Sequence, residues 1–164
     1  MKPHRVDGLE WAEWAQDPFR GSPKNRLSAP MRAGLAFQRR LGKALLASVF
    51  PVHSGPWIRF KDASGVHFAQ PDFLLWPASP SPVVVEVKLT FCPEAFAQLS
   101  FLYVPLLEKL LCREVRPIVV CKNLGSFQGR VHSLAKAREL ADLCPRGVFF
   151  WNGDPLSFSF SPGA

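Results

Sequence analysis

The sequence predicts an α/β domain in which helices flank a mixed central sheet. Apolar residues recur with a helical period of 3.6 over residues 30–49, whereas residues 83–89 form the most β-prone run of the chain. Helical and β-prone segments alternate after that run, as they do where strands are joined by helices. The predicted order is a helix, three strands, a helix, a strand, a helix and a strand.

The size and composition of the chain fit one domain with a hydrophobic core. The chain has 164 residues, of which 48% are hydrophobic and 20% are charged, so disorder is not expected as its general state. We predict that residues 31–164 form this domain and that residues 1–30 form an N-terminal arm with a short helix. The aromatic patch around Trp11 and Trp14 has two candidate partners, the core of its own chain or a second copy in a homodimer, and docking on the core is favoured.

Charge and apolar patterning exclude several classes of protein. No apolar run approaches the roughly 20 residues of a membrane-spanning helix, and the charged N-terminal residues lack the apolar segment of a secretory signal. We therefore expect a cytoplasmic protein with no membrane contact. The four cysteines lack the close spacing of zinc or iron–sulfur sites. A net charge of +7 favours a polyanionic partner without identifying one.

The first predicted helix, from Pro30 to Val49, carries a glutamine within its apolar stripe. Gln38 lies seven residues after Met31 and seven before Leu45, near the centre of that stripe. A buried amide is costly unless it is hydrogen-bonded, so we expect a polar group opposite Gln38. The apolar stripe consists of Met31, Leu35, Leu45, Leu46 and Val49. The outer face of the helix is basic and consists of Arg39, Arg40 and Lys43.

Three strands are predicted after this helix. The β-prone run Trp57–Phe60 leads into a hairpin turn at Asp62–Gly65. The return strand is expected to run from residue 66 to residue 76, with Pro71 at a bulge or edge position inside it. Residues 83–89 are expected to form the central buried strand.

A helix, a strand, a further helix and a last strand complete the prediction. Pro93 suits the first turn of a helix that continues, with a kink at Pro105, to Leu111. Residues 116–122 are predicted as a buried strand, residues 132–143 as an amphipathic helix and residues 148–151 as the last strand.

Opposite charges share one face of the predicted central strand. Alternation along a strand places Val84, Glu86 and Lys88 on one face. Removing each ion from water costs several kcal/mol, so these charges require partners or a function. One interpretation is a structural ion pair between Glu86 and Lys88 in an α/β protein of another kind.

A carboxylate on the preceding strand supports a different interpretation. If the two strands pair, Asp72 and Glu86 converge, and two close carboxylates commonly share a hard divalent cation. Mg²⁺ or Mn²⁺ is therefore the predicted cofactor. An ammonium group beside it, that of Lys88, can orient or acidify an attacking water and neutralise charge on a phosphoryl oxygen. This set predicts phosphodiester hydrolysis.

The sequence resembles the motif of the PD-(D/E)xK phosphodiesterase superfamily, which includes restriction endonucleases, phage exonucleases and RecB-type nuclease domains. The matching residues are Pro71-Asp72 and, after thirteen intervening residues, Glu86-Val87-Lys88. The resemblance extends over residues 30–122. It implies a restriction-endonuclease-like fold and a Mg²⁺- or Mn²⁺-dependent deoxyribonuclease of phage or mobile-element DNA processing. Asp72 and Glu86 would hold the metal, and the Val87 carbonyl would complete its ligand shell.

The resemblance also assigns roles to residues on two helices. Members usually have an acidic or amide residue that faces the metal from a preceding helix, and Gln38 is similar to it, although many members have Glu there. An amide adds no negative charge, which implies weaker metal binding or the absence of a second metal. RecB-like members carry a Gln and a Tyr on the helix after the lysine strand; Gln98 and Tyr103 are similar, at a spacing one residue longer.

The nuclease interpretation makes DNA the expected partner. In an alternative interpretation the protein binds DNA but does not cleave it. The alternative is a non-catalytic nucleic-acid-binding or assembly module in which Gln38 marks a weakened site. It predicts salt-sensitive DNA binding and no metal-dependent cleavage. The candidates for contacts with the DNA backbone are Arg39, Arg40, Lys43, Lys61 and Lys122.

Overall fold

A computed structural model describes residues 5–20, 27–48, 50–77, 80–92, 94–123 and 147–151. The strands are β1 (Trp11–Ala15), β2 (Val52–Ser54), β3 (Trp57–Asp62), β4 (Gly65–Ala69), β5 (Phe73–Leu75), β6 (Val83–Thr90), β7 (Arg116–Asn123) and β8 (Val148–Phe150). The helices are α1 (Ala29–Leu46), α2 (Glu94–Gln98) and α3 (Val104–Leu111), and a π-helical turn (Leu99–Tyr103) joins α2 to α3.

A five-stranded mixed sheet confirms the predicted α/β class. Its order is β2-β5-β6-β7-β8, with antiparallel pairing from β2 to β6 and parallel pairing from β6 to β8. β6 is central, as predicted, and its side chains alternate between two cores. Val84 packs on the side of α3, whereas Val83 and Val85 pack on the side of α1. Helices therefore cover both faces of this sheet, as the burial of parallel strands requires.

Helix α1 forms where the sequence predicts it, but a different face is buried. Ser28 caps its N-terminus by accepting a hydrogen bond from the Met31 N–H. The buried residues of α1 are Phe37, Leu41, Gly42 and Leu45. Leu45 is therefore buried as predicted, whereas Met31 is 59% exposed and Leu46 is 64% exposed, so the prediction was wrong for these two residues. Val49 lies outside the described residues. A stripe centred on Leu41 keeps Arg39, Arg40 and Lys43 in water, which offsets the exposure of two apolar residues.

The N-terminal arm contains a strand where a short helix was predicted. β1 pairs antiparallel with β3, and together with β4 they form a three-stranded sheet of order β1-β3-β4. Two cross-strand ion pairs support the pairing, from Arg59 to Glu13 at 3.2 Å and from Lys61 to Glu10 at 2.7 Å. The open edge of β3 supplies hydrogen-bond partners that local sequence cannot reveal, and this overrides helix propensity.

The predicted return strand is two strands that belong to different sheets. The hairpin at Asp62–Gly65 is confirmed, and β4 follows it in the three-stranded sheet. The chain then leaves that sheet at Pro71, and β5 joins the five-stranded sheet between β2 and β6. Proline has no N–H to donate to a ladder, which accounts for the break at this residue. The break delivers Asp72 to the start of β5.

The helical segment after β6 runs without a break from Glu94 to Leu111 and includes Pro105, as predicted, whereas Pro93 lies outside the described residues. The ring of Pro105 frees the carbonyl four residues earlier, that of Phe101, which accepts a hydrogen bond from the Val6 N–H at 3.0 Å. β8 corresponds to the predicted last strand, whereas the helix predicted at 132–143 lies outside the described residues. No helix in the described ranges is both long and apolar enough to cross a bilayer.

Candidate active site

The register of β5 and β6 brings Asp72 and Glu86 together. Phe73 lies opposite Val85 in this antiparallel pair, and one further step along the register places Asp72 opposite Glu86. Glu86 is 3% exposed, and the charge of Asp72 contributes to raising the pKa of Glu86. The convergence expected from the sequence is thus present in the structure.

Both carboxylate oxygens of Asp72 are held by fixed donors. The Gln38 Nε2 donates to Oδ1 at 2.7 Å, and the Val87 backbone N–H donates to Oδ2 at 2.7 Å. Asp72 is therefore the polar group that the sequence required opposite Gln38. Burial raises the pKa of the Asp72 carboxyl, and the Val87 N–H and the Lys88 charge oppose that rise.

Glu86 has one paired oxygen and one that lacks a partner. The Lys88 ammonium contacts Oε1 at 2.6 Å, whereas Oε2 is buried without a hydrogen bond. Burial, and next the charge of Asp72, raise the pKa of Glu86 from 4.5 to about 7 against the opposing effect of Lys88. Burial lowers the pKa of Lys88, but the charge and hydrogen bond of Glu86 outweigh it and raise that pKa above its usual value.

The donor set fits a hard divalent cation. It consists of carboxylate oxygens from Asp72 and Glu86, and a cation would supply the partner that Glu86 Oε2 lacks. The N–H and C=O of a strand residue point toward the same neighbour, so the Val87 carbonyl lies on the side of β5 as well. Within the described ranges no three or more His, Cys, Asp or Glu residues gather in a metal-binding group. The acidic part of the site is therefore this carboxylate pair.

The π-helical turn brings Gln98 and Tyr103 into contact despite their longer spacing. A π-helical turn closes over five residues and not four, so residues five apart lie on one side. Gln98 Nε2 donates to the Tyr103 hydroxyl at 2.6 Å, and that hydroxyl donates to the Gln70 carbonyl at 3.0 Å. This chain of hydrogen bonds ends two residues before Asp72. Burial, followed by the charge of Glu86, raises the pKa of Tyr103, so its hydroxyl keeps its proton.

Sequence reasoning missed Gly55, which anchors the backbone of Asp72. The Gly55 N–H donates to the Asp72 carbonyl at 2.8 Å, and the Gln70 side chain donates to the Gly55 carbonyl at 2.9 Å. Gly55 has a φ of +57°, and a Cβ there would lie 2.9 Å from Gln70 Nε2. The signal in the sequence is the Gly-Pro dipeptide at Gly55, which marks a turn but not its partner.

The five predicted phosphate-binding residues differ in their surroundings. Lys61 is neutralised by Glu10, and the Arg40 guanidinium lies over the Trp151 ring at 5.9 Å. Lys122 is exposed near the end of β7. Arg39 and Lys43 are exposed and line an open pocket next to Gln38. Among the five, only Arg39 and Lys43 share a pocket with Gln38 in the described part of the chain.

A serine, a histidine and an aspartate also meet in the β3–β4 hairpin, but not as a catalytic triad. Ser64 Oγ donates to Asp62 Oδ1 at 2.7 Å and contacts His67 Nε2 at 2.8 Å. The same nitrogen, His67 Nε2, lies 3.3 Å from Asp62 Oδ1. A triad needs the two ring nitrogens to face serine and aspartate separately. This cluster therefore stabilises the turn.

The comparisons with known proteins assign no family. No protein-family model matches the chain, and no curated protein matches it. Among solved structures, the chain is similar to a repair endonuclease from Pyrococcus abyssi, with a TM-score of 0.42 and 14% identity over 81% of this chain and 50% of that one. The chain thus spans about half the length of that endonuclease. At this distance the chemistry of the site rests on its own geometry.

Proposed function

We propose that this protein is a metal-dependent nuclease that hydrolyses phosphodiester bonds of DNA. The observation that carries the proposal is the pair of half-buried Asp72 and buried Glu86 beside Lys88, in which Glu86 Oε2 has no hydrogen-bond partner. Two close carboxylates of this kind repel each other, and a divalent cation removes the repulsion.

Asp72 and Glu86 would hold Mg²⁺ or Mn²⁺, with the Val87 carbonyl as a neutral ligand. A cation bound there supplies positive charge that polarises the scissile phosphate. Gln38 and the Val87 N–H fix the orientation of the Asp72 carboxylate. The Lys88 ammonium orients the attacking water and offsets negative charge on the phosphoryl group. The water oxygen forms a bond to phosphorus while the bond from phosphorus to the leaving oxygen breaks; the water gives up a proton to solvent and the leaving oxygen takes one from solvent. Exposed Arg39 and Lys43 contact the DNA backbone.

The structural ion-pair interpretation explains less of this geometry. A pair between Lys88 and Glu86 accounts for Oε1, but it leaves Oε2 buried without a partner and places Asp72 where it opposes ionisation of Glu86. A pair kept only for stability would gain nothing from either feature.

One observation favours a non-catalytic DNA-binding module as the second candidate. The position that faces Asp72 from α1 is an amide, Gln38, which donates a hydrogen bond and adds no charge to the site. A cation would therefore be bound by two carboxylates. The affinity of the site for the metal would be low enough that the protein binds DNA but does not cleave it.

A cleavage assay with matched variants separates the two candidates. The full chain is incubated with plasmid, linear duplex and single-stranded DNA and Mg²⁺ or Mn²⁺, and Mn²⁺ binding is measured by calorimetry. We expect Asp72→Asn to lose both binding and cleavage, and Lys88→Ala to lose cleavage but keep Mn²⁺ binding. Lys109→Ala, an exposed lysine near the C-terminal end of α3, is the control and keeps both. Salt-sensitive DNA binding with no metal-dependent cleavage by the unaltered protein would establish the second candidate instead.

A further inference from the structure

An open pocket of about 410 Å³ lies between α1 and the edge of the five-stranded sheet. Its wall is one stripe of α1, with Leu35, Gln38, Arg39, Lys43 and Leu46, and Phe73 of β5 lies at its base. The volume falls in the range of about 300–1,000 Å³ that is typical of small-ligand sites.

The pocket lies where α1 passes the short edge strand β2. The 18 residues of α1 span roughly 27 Å, whereas the three residues of β2 span roughly 10 Å. The helix therefore extends past β2 and leaves part of its inner stripe uncovered by that strand. This explains why Leu46 is 64% exposed although it borders the pocket.

The lining of the pocket combines two cations with apolar surface and contains no acid. Arg39 and Lys43 form no ion pair within the described part of the chain, in contrast to Lys61, which is held by Glu10. Contacts with phosphates alone need only cations. The apolar side chains of Leu35 and Leu46 offer a contact surface for the face of a base, and that face is accessible only when the base is out of the duplex stack.

Gln38 links the pocket to Asp72. It lines the pocket, and its Nε2 donates to Asp72 Oδ1 at 2.7 Å. A nucleotide in the pocket would therefore lie one side chain away from Asp72.

Building on the proposed function, we infer that this pocket binds an unpaired nucleotide of the DNA strand next to the scissile phosphate, and that the substrate is single-stranded or locally unpaired DNA. Arg39 and Lys43 hold the phosphate of that nucleotide, and Leu35 and Leu46 contact its base.

The test measures DNA binding without cleavage. Fluorescence anisotropy in EDTA gives the Kd of the full-length protein for a single strand of about 12 nucleotides, for the matching blunt duplex and for the same strand with abasic sites. The variants are Lys43→Glu and Leu46→Gln. Their matched controls are Lys109→Glu, near the C-terminal end of α3, and Met31→Gln, an exposed apolar residue of α1 outside the pocket.

We expect the single strand to bind about 10-fold more tightly than the duplex or the abasic strand. Lys43→Glu should weaken single-strand binding about 10-fold and lower its salt dependence, and Leu46→Gln should weaken it about 5-fold without further loss on the abasic strand. Both controls should stay within about twofold of the unaltered protein. Equal affinity for single strand and duplex, or an unchanged Kd for Leu46→Gln, would overturn the inference. Because no metal is present, these results are independent of whether the protein cleaves DNA.

Discussion

Gly42 of α1 lies directly against the ring of Phe73 in β5. A Cβ built at Gly42 would be 3.1 Å from two carbons of that ring, closer than ordinary van der Waals contact. One helical turn before Gly42 is Gln38, and immediately before Phe73 is Asp72; these two residues are hydrogen-bonded at 2.7 Å. The missing side chain of Gly42 thus sets how closely α1 approaches the carboxylate.

The substitution Gly42→Ala should therefore displace Gln38 from Asp72. Alanine gains about 1 kcal/mol of helix propensity, but overpacking against Phe73 costs about 1–3 kcal/mol, so the free energy of unfolding should fall by about 1 kcal/mol. Mn²⁺ affinity, measured by calorimetry, should fall several-fold as well.

A second glycine of the same helix provides the control. A Cβ at Gly34 would meet no atom within 4 Å. Gly34→Ala should raise the free energy of unfolding by up to about 1 kcal/mol and leave Mn²⁺ affinity unchanged. Equal effects of the two substitutions on Mn²⁺ affinity would show that the approach of α1 does not matter to the site.

The change Gln38→Glu should lower the stability of the metal-free protein and raise its affinity for Mn²⁺. It removes the donor to Asp72 Oδ1 and adds a third negative charge beside the carboxylates of Asp72 and Glu86. In EDTA the variant should unfold with about 1–3 kcal/mol less free energy than the unaltered protein. In Mn²⁺ its affinity for the ion should be higher, because the extra carboxylate is a charged ligand. Calorimetry and denaturation with and without Mn²⁺ measure both effects, and a lower affinity would contradict the assignment of Gln38 to the metal site.

The change Tyr103→Phe should loosen the segment that carries Asp72. It deletes the hydrogen bond to the Gln70 carbonyl and leaves Gln98 Nε2 without its partner. We expect a loss of about 1 kcal/mol in the free energy of unfolding. The positioning role predicts a larger fall in the rate of DNA cleavage than in Mn²⁺ affinity. A purely structural role predicts that cleavage by the folded variant stays unchanged.

The carboxylate pair could be anticipated from sequence because alternation on a central strand is a strong constraint. In β6 the apolar residues Val83 and Val85 face one core, so Glu86 and Lys88 must share the other face. The Asp62–Gly65 hairpin was equally accessible, since its turn residues are local signals.

Features that depend on distant parts of the chain could not be anticipated in the same way. The break at Pro71 looked like a bulge, because only the two separate sheets reveal that β4 and β5 have different neighbours. The arm strand β1 depends on the open edge of β3. The π-helical turn, which restores contact between Gln98 and Tyr103, arises from packing that the spacing alone does not encode.

The raised pKa of Glu86 predicts that the metal-free protein loses stability as the pH rises. The folded-state pKa of about 7 lies above the ordinary value of 4.5, so between these values the folded protein retains a proton that the unfolded chain releases. The contribution of Glu86 is therefore most favourable below 4.5, declines through this window and is constant above about 7. The difference between these two pKa values corresponds to a loss of roughly 3 kcal/mol in the free energy of unfolding across the window.

Denaturation in EDTA from about pH 5 to about pH 8 measures this decline, and Glu86→Gln is the variant that isolates it. The charged and polar groups that act on Glu86, namely Asp72, Lys88 and Tyr103, are retained in that variant. The difference in stability between the two proteins should shift in favour of Glu86→Gln as the pH rises. Mn²⁺ should reduce this shift, because a bound cation favours the ionised carboxylate of the unaltered protein. Parallel pH profiles in EDTA would mean that burial does not hold Glu86 in the state, with Oε2 lacking a partner, on which metal binding at this site depends.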